Sequence, residues 1–94
     1  MYVRLVTFKF GNGGRQKAEE MASDLVPAIG GLKGCHSVTF FGDDSAGEYG
    51  LTVLWDSIEG ADAAATVIGP RLQGHLAGNV QGPPSIRLYE VIEP

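Results

Sequence analysis

The chain has 94 residues, a formal net charge of −4 at pH 7 and one cysteine. This length predicts a single domain over residues 1–94, and a lone cysteine excludes an internal disulfide bond. The negative charge and the scattered basic residues argue against nucleic acid and anionic membranes as partners. Arg4 and Lys9 interrupt the apolar N-terminal residues, and no apolar run approaches the roughly 20 residues of a membrane span. We therefore expect a cytoplasmic protein without a leader or a membrane anchor.

The first half of the chain predicts a strand, a helix and a hairpin. Alternating apolar residues over Tyr2–Phe10 predict a strand, which a glycine-rich turn at residues 11–14 ends. Over Arg15–Ile29 the apolar residues recur three or four positions apart, which is typical of an amphipathic helix. Two further strands, His36–Phe41 and Glu48–Trp55, are separated by a polar turn with glycines at both ends. These two strands predict a hairpin.

The third strand runs into a second helix with almost no loop between them. Asp56 or Ser57 can cap this helix, because a short side-chain oxygen accepts a hydrogen bond from the free N–H groups of the first turn. With Asp56 as the cap, Glu59 occupies the position that reaches back to it, as in a capping box. The junction therefore fixes the strand and the helix against each other.

The second half of the chain predicts one more helix pair and a last strand. The apolar pattern predicts a helix over Ile58–Ile68, and Gly69-Pro70 is expected to break it. Arg71–Ala77 can resume as a short helix. After a rigid Gly-Pro-Pro turn, Ser85–Ile92 predicts the final strand.

The order strand–helix–strand–strand–helix–strand predicts an α+β ferredoxin-like sandwich, a four-stranded antiparallel sheet with two helices on one face. Such a sheet needs an apolar surface on the helix side only. Several strands nevertheless carry large apolar residues on both faces: in the first, Val6 and Phe8 alternate with Val3 and Leu5. The helices cover one face, so we expect a second copy of the chain to cover the other and form a homodimer.

Three segments resemble the dimeric α+β barrel superfamily, in particular its antibiotic-biosynthesis-monooxygenase-like domains. They are Leu32–Cys35, Glu48–Ser57 with its Trp-x-Ser strand end, and Gly69–His75. The last is similar to the family's short-helix segment, which ends in a histidine that faces the pocket. The resemblance covers essentially the whole chain and implies a dimeric α/β barrel.

The predicted site has His75 as its catalytic residue and Thr7, Trp55 and Leu72 as substrate-binding residues. Leu72 precedes His75 by one helical turn, so the two side chains share a face of any helix there. A histidine titrates near neutral pH, so His75 is a candidate general base, a candidate heme contact or a structural histidine. A tryptophan at a strand end under a helix is usually a core residue, so the core is the favoured interpretation of Trp55. Thr7 and Arg4 lie on opposite faces of the first strand, so at most one of them faces the pocket.

The resemblance implies three functions, which the residues leave open. The first is a monooxygenase without cofactor or metal, in which an electron-rich aromatic or polyketide-type substrate itself reduces O2 and His75 is the base. The alternative is a non-catalytic dimeric domain that binds a small apolar or aromatic molecule or acts in a stress response. Heme degradation fits less well, because Thr7 stands where heme-degrading relatives carry asparagine, and Ala63 or Ala64 stands where they carry a second tryptophan.

Other chemistries find little support in the sequence. There is no cysteine and histidine spacing for zinc. RNA-recognition domains share the element order, and Tyr49-Gly50 resembles their third-strand aromatic motif, but Glu48 stands where a basic residue is expected. Lys33 and His36 lie close to Cys35 in sequence and would lower the pKa of its thiol if they were also close in space, but nothing else indicates a nucleophile, so an inert structural thiol is the favoured interpretation.

Overall fold

The fold is a four-stranded antiparallel sheet with two helices, in the predicted order. A computed structural model describes residues 1–94. Its elements are β1 (Tyr2–Lys9), α1 (Arg15–Gly30), β2 (Cys35–Asp43), β3 (Glu48–Trp55), α2 (Ile58–Leu76) and β4 (Ser85–Glu90). The strands lie in the order β2-β3-β1-β4, and every neighbouring pair is antiparallel. The predicted ferredoxin-like α+β class is therefore confirmed. Neither helix combines the length and the hydropathy that a membrane crossing requires.

The two faces of the sheet follow from the register of its central strand. Val6 of β1 lies opposite Leu51 of β3 on one side and Ile86 of β4 on the other. Because side chains alternate along a strand, Arg4 shares the helix-covered face with Val6, and Thr7 lies on the opposite face. The register thus decides which of the two polar residues of β1 can reach the space under the helices.

The core lies between the sheet and the helices and is entirely apolar. Fourteen hydrophobic residues are buried there, and no buried residue is polar or charged. The largest fully buried side chains come from both helices and from β3: Trp55, Met21, Leu25, Ile29, Leu51 and Leu76. The other face of the sheet has no covering element in the chain and leaves Phe41 and Tyr89 exposed.

Helix α2 continues through Gly69-Pro70, so the predicted break is wrong. A proline inside a helix costs about 3 kcal/mol, because it removes a hydrogen bond and its ring crowds the preceding turn. Beyond Pro70, Leu72 and Leu76 are only 5% and 2% exposed. Burying a leucine stabilises a fold by about 1.5–3 kcal/mol, so the two together offset the cost of the proline.

Ser57, and not Asp56, caps α2. The Ser57 hydroxyl accepts a hydrogen bond from the backbone N–H of Gly60 at 3.1 Å. Since Gly60 follows the cap by three residues, Glu59 falls one position short of the capping box that was predicted with Asp56. Glu59 still lies in the first turn, where its negative charge is favourable. The Asp56 carboxylate is instead paired with the His36 side chain.

Candidate functional site

An apolar cavity lies between the sheet and α2. Its volume is about 110 Å³, and ten of its twelve lining residues are hydrophobic. Trp55 and Leu72 lie in its wall, Ile86 of β4 lies at its edge, and Arg4 is its only charged residue. An apolar cavity of roughly 150 Å³ holds a benzene molecule. The cavity in this chain is therefore sized for about one six-membered ring.

The cavity exists because α2 presents its smallest residues to the sheet. Ala61, Ala65 and Gly69 all line it and are spaced four residues apart, so they stack along one side of the helix. The strands opposite contribute Val53 and Trp55. Three residues without long side chains leave a gap that the large strand residues do not fill. This spacing of small residues was the sequence signal that could have located the cavity.

Arg4 brings the only positive charge to the cavity. Its side chain is 21% exposed, and Nη2 lies 3.6 Å from a carboxylate oxygen of Asp62 and 3.5 Å from the carbonyl oxygen of Ala61. Both distances exceed the 2.7–2.9 Å of a strong charge-assisted hydrogen bond. Asp62 is itself 68% exposed, so solvent weakens this ion pair. The guanidinium therefore keeps much of its capacity to bind an anionic ligand.

Two of the four predicted site residues line the cavity. Trp55 and Leu72 do so. Thr7 does not, because the strand alternation places it on the opposite face, beside a shallow surface groove that includes Gln81 and Ser85. The sequence allowed only one of Arg4 and Thr7 to face the pocket, and in the structure it is Arg4 that lines the cavity.

His75 points towards α1 and does not line the cavity. Its Nε2 lies 2.7 Å from a carboxylate oxygen of Asp24, and Nε of Arg71 lies 3.1 Å from both oxygens of that carboxylate. Hydrogen bonds from His75 and Arg71 hold the pKa of Asp24 below its ordinary value. The three side chains form a clasp between the helices. The structure therefore does not bring His75 together with Trp55 and Leu72, and its role as a base stays a prediction.

Cys35 lies in an environment that lowers its reactivity. Burial raises the pKa of the Cys35 thiol, against a smaller opposing effect of the Ser37 carbonyl, to which the thiol donates at 3.7 Å. Lys33 and His36 do not contribute to this shift, and the raised pKa agrees with the favoured interpretation of Cys35 as an inert structural thiol. His36 is exposed. No group of three or more His, Cys, Asp and Glu side chains is placed to hold a metal ion.

Solved structures share this fold over almost the whole chain. A Nitrosomonas europaea protein, provisionally named an antibiotic biosynthesis monooxygenase, matches with a TM-score of 0.84 at 14% identity, over 99% of this chain and 100% of that one. A Deinococcus radiodurans protein with the same provisional name gives 0.75 at 20% identity, over 100% and 95% of the two chains. A variant of MhuD, solved with two manganese protoporphyrin IX molecules per active site, gives 0.74 at 18% identity, over 100% and 97%. No family model and no curated protein sequence matches the chain.

These matches span all six elements at low sequence identity. They therefore establish the fold of this chain, and they do not establish its reaction or substrate. The resemblance that the sequence carries is confirmed at the level of the fold. This chain has the α+β fold of the structures that are named antibiotic biosynthesis monooxygenases.

Proposed function

We propose that this chain forms a small dimeric protein that binds a one-ring aromatic molecule and oxidises an electron-rich phenol with O2 without a cofactor. The cavity carries the proposal, because its lining is almost entirely hydrophobic and includes one guanidinium. The fold shared with proteins named as monooxygenases adds support for the reaction class. At about 110 Å³, the cavity suits a single ring better than the fused rings of an anthrone or a larger polyketide.

The proposed reaction balances with O2 as the only oxidant. A phenol with a free para position becomes a para-quinone: one oxygen atom of O2 enters the ring and the other leaves as water. The phenol O–H and the para C–H supply the two hydrogens of that water, and the phenol supplies all four electrons. The cavity contributes by holding the ring beside Trp55 and favouring the phenolate, which donates electrons more readily than the neutral phenol.

Oxygen uptake with one-ring phenols tests the catalytic part of the proposal. With ¹⁸O2, a monooxygenase incorporates one labelled atom into the quinone, which is reduced at once so that its oxygens do not exchange with water. Ala65→Leu puts a larger side chain in the exposed part of the cavity wall, where it narrows the space for a ring, and should abolish uptake. The matched control is Ala63→Leu on the same helix, because both alanines are exposed and only Ala65 lines the cavity. Uptake that survives Ala65→Leu would place the reaction elsewhere.

The alternative function is binding without turnover, and one observation favours it. The lining of the cavity includes no histidine, aspartate or glutamate, and His75 is held by Asp24. A cavity without a general base suits a ligand-binding domain. This alternative predicts saturable binding of an aromatic ligand with no oxygen uptake. If the His75→Ala variant oxidises the phenol at the rate of the wild-type protein, the protein is an enzyme and His75 takes no part in its mechanism.

The cavity does not fit heme. A porphyrin has four pyrrole rings, and this cavity takes about one six-membered ring. His75 is the histidine of α2, the helix that contributes to the cavity wall, but its imidazole is hydrogen-bonded to Asp24. We therefore derive no step through heme for this chain, in contrast to the porphyrin-bound MhuD variant.

The uncovered face of the sheet supports the dimeric part of the proposal. Val3, Leu5 and Leu54 lie on this face together with the exposed Phe41 and Tyr89. An apolar sheet face of this kind is stabilised when a second copy packs against it. We expect light scattering at micromolar concentration to show twice the 9.9 kDa mass of the chain.

A charge on the same face tests whether it forms the interface. We expect Leu5→Lys to give monomers, because an ammonium group would be buried between the two sheets. Ile58→Lys, on the exposed start of α2, is the control and should stay dimeric. A wild-type protein of monomer mass would contradict the dimer.

A further inference from the structure

Arg4 is a charged residue among apolar neighbours. It lies on the helix-covered face of the sheet, where its register partners are Val53 of β3 and Leu88 of β4. No buried residue of this protein is polar or charged, and Arg4 is the only charged side chain in the wall of the cavity. A charge beside apolar walls costs solvation free energy unless it gains a partner.

The partners that Arg4 has within the chain are weak. A guanidinium carries five N–H donors, and only Nη2 approaches an acceptor, at 3.5 and 3.6 Å. The Asp62 carboxylate is largely solvated, so it neutralises the guanidinium incompletely. Fork-shaped donors of this kind match the two oxygens of a carboxylate and also bind a single phenolate oxygen.

We infer that Arg4 makes the cavity selective for an aromatic ring that carries an anionic oxygen, either a carboxylate or a phenolate. The ring lies in the apolar part of the cavity, and the oxygen accepts hydrogen bonds from the guanidinium. The inference rests on the proposed function, because it assumes that the cavity takes a ring, and it names the class of that ligand. Apolar walls strengthen the attraction, because they lower the local dielectric constant.

The same contact gives Arg4 a part in the proposed oxidation. A positive charge next to a phenol favours its ionised form and lowers its pKa. The proton of the phenol hydroxyl passes to solvent. Solvent reaches this end of the cavity, because the Arg4 side chain is partly exposed. Arg4 thus stabilises the phenolate that reacts with O2. The reaction can then proceed although the cavity wall has no general base.

Trp55 provides the readout for a binding test. It is the only tryptophan of the chain and lies in the cavity wall, so its fluorescence reports a ring bound there. The probes are benzoate and benzyl alcohol, which have the same ring and differ in charge. We expect the wild-type protein to bind benzoate about tenfold tighter, the lower end for hydrogen bonds to charged groups. Arg4→Gln should lose this preference and bind benzyl alcohol unchanged, whereas Arg4→Lys should keep part of it.

Arg15→Gln is the matched control, because the Arg15 side chain is 64% exposed on α1 and does not line the cavity. It should retain the full preference for benzoate. Asp62→Asn removes the competing carboxylate and should tighten benzoate binding about twofold to threefold. Excess salt should weaken benzoate binding and leave benzyl alcohol binding unchanged.

A phenol probe tests whether the anionic group that Arg4 binds can be a phenolate as well as a carboxylate. The phenolate of p-nitrophenol absorbs visible light, so its spectrum gives the ionised fraction of the bound ligand directly. We expect bound p-nitrophenol to have a lower pKa than the free phenol in the wild-type protein, and to lose this shift in Arg4→Gln. If the shift is absent while benzoate is preferred, the ligand class narrows to carboxylates and the catalytic part assigned to Arg4 is overturned.

The outcomes separate this inference from the proposed function. Equal affinity of the wild-type protein for benzoate and benzyl alcohol would overturn the role of Arg4 and leave the cavity as a ring-binding site. Loss of both ligands in Arg4→Gln would make Arg4 structural and would also overturn the inference. Preference for benzoate without any oxygen uptake would support the inference and refute the proposed oxidation. Binding of neither probe to the wild-type protein would refute both.

Discussion

Truncating Leu72 tests the continuity of α2, on which the cavity depends. Leu72 lies beyond Pro70, is 5% exposed and contributes to the cavity wall. Replacing a buried leucine by alanine destabilises a protein by about 2–5 kcal/mol, so we expect about 3 kcal/mol for Leu72→Ala. In a domain of this size, each 1 kcal/mol lowers Tm by about 4–8 °C, so Tm should fall by about 12–24 °C.

The assay is thermal unfolding followed by circular dichroism at one fixed protein concentration, since association also shifts Tm. Val67→Ala on the same helix is the control, because Val67 is 55% exposed and alanine has the higher helix propensity. We expect its Tm to stay close to that of the wild-type protein. If α2 broke at Gly69-Pro70, Leu72 would lie in a loosely held segment. Equal Tm values for Leu72→Ala and Val67→Ala would therefore refute the continuous helix and the cavity wall it supplies.

Three further predictions concern the caps, the clasp between the helices and the thiol. Ser57→Ala should destabilise the fold by about 1 kcal/mol, whereas Asp56→Ala should have a much smaller effect in urea unfolding, and the reverse order would contradict the assigned cap. Because the folded-state pKa of Asp24 is depressed, its stabilising effect is complete above the ordinary value of 3.8 and is lost as pH falls through the folded-state pKa. The destabilisation caused by Asp24→Asn should therefore shrink in acid, and an equal loss of unfolding free energy at neutral and acidic pH would refute the clasp. Cys35 should react with a thiol reagent at neutral pH more slowly than glutathione does, because burial raises its pKa; a faster reaction would show an activated thiol.

The fold was predictable because its signals are local. Alternation in the strands and the three-to-four spacing in α1 identify the elements, and their order selects the ferredoxin-like arrangement. Pro70 is an exception that shows the limit of local rules. Its cost is a property of the helix alone, whereas the burial of Leu72 and Leu76 that offsets it appears only when α2 lies on the sheet.

The site was predictable only in part, because it depends on which elements face each other. Trp55 and Leu72, which the sequence predicts as substrate-binding residues, line the cavity, and their role in binding stays a prediction. The direction of His75 was not predictable, since Asp24 lies on another helix, 51 positions away in sequence. The choice between Arg4 and Thr7 also required the face of β1 that the helices cover.

The most direct test of the central claim is a fluorescence titration of Trp55 with benzoate in the wild-type protein and in Ala65→Leu. Ala65 lines the cavity, and a leucine there fills space that the ring needs. We predict a saturable change in the wild-type protein that disappears in Ala65→Leu and persists in Ala63→Leu. The same saturable change in all three proteins would show that aromatic ligands bind outside this cavity and would contradict the account.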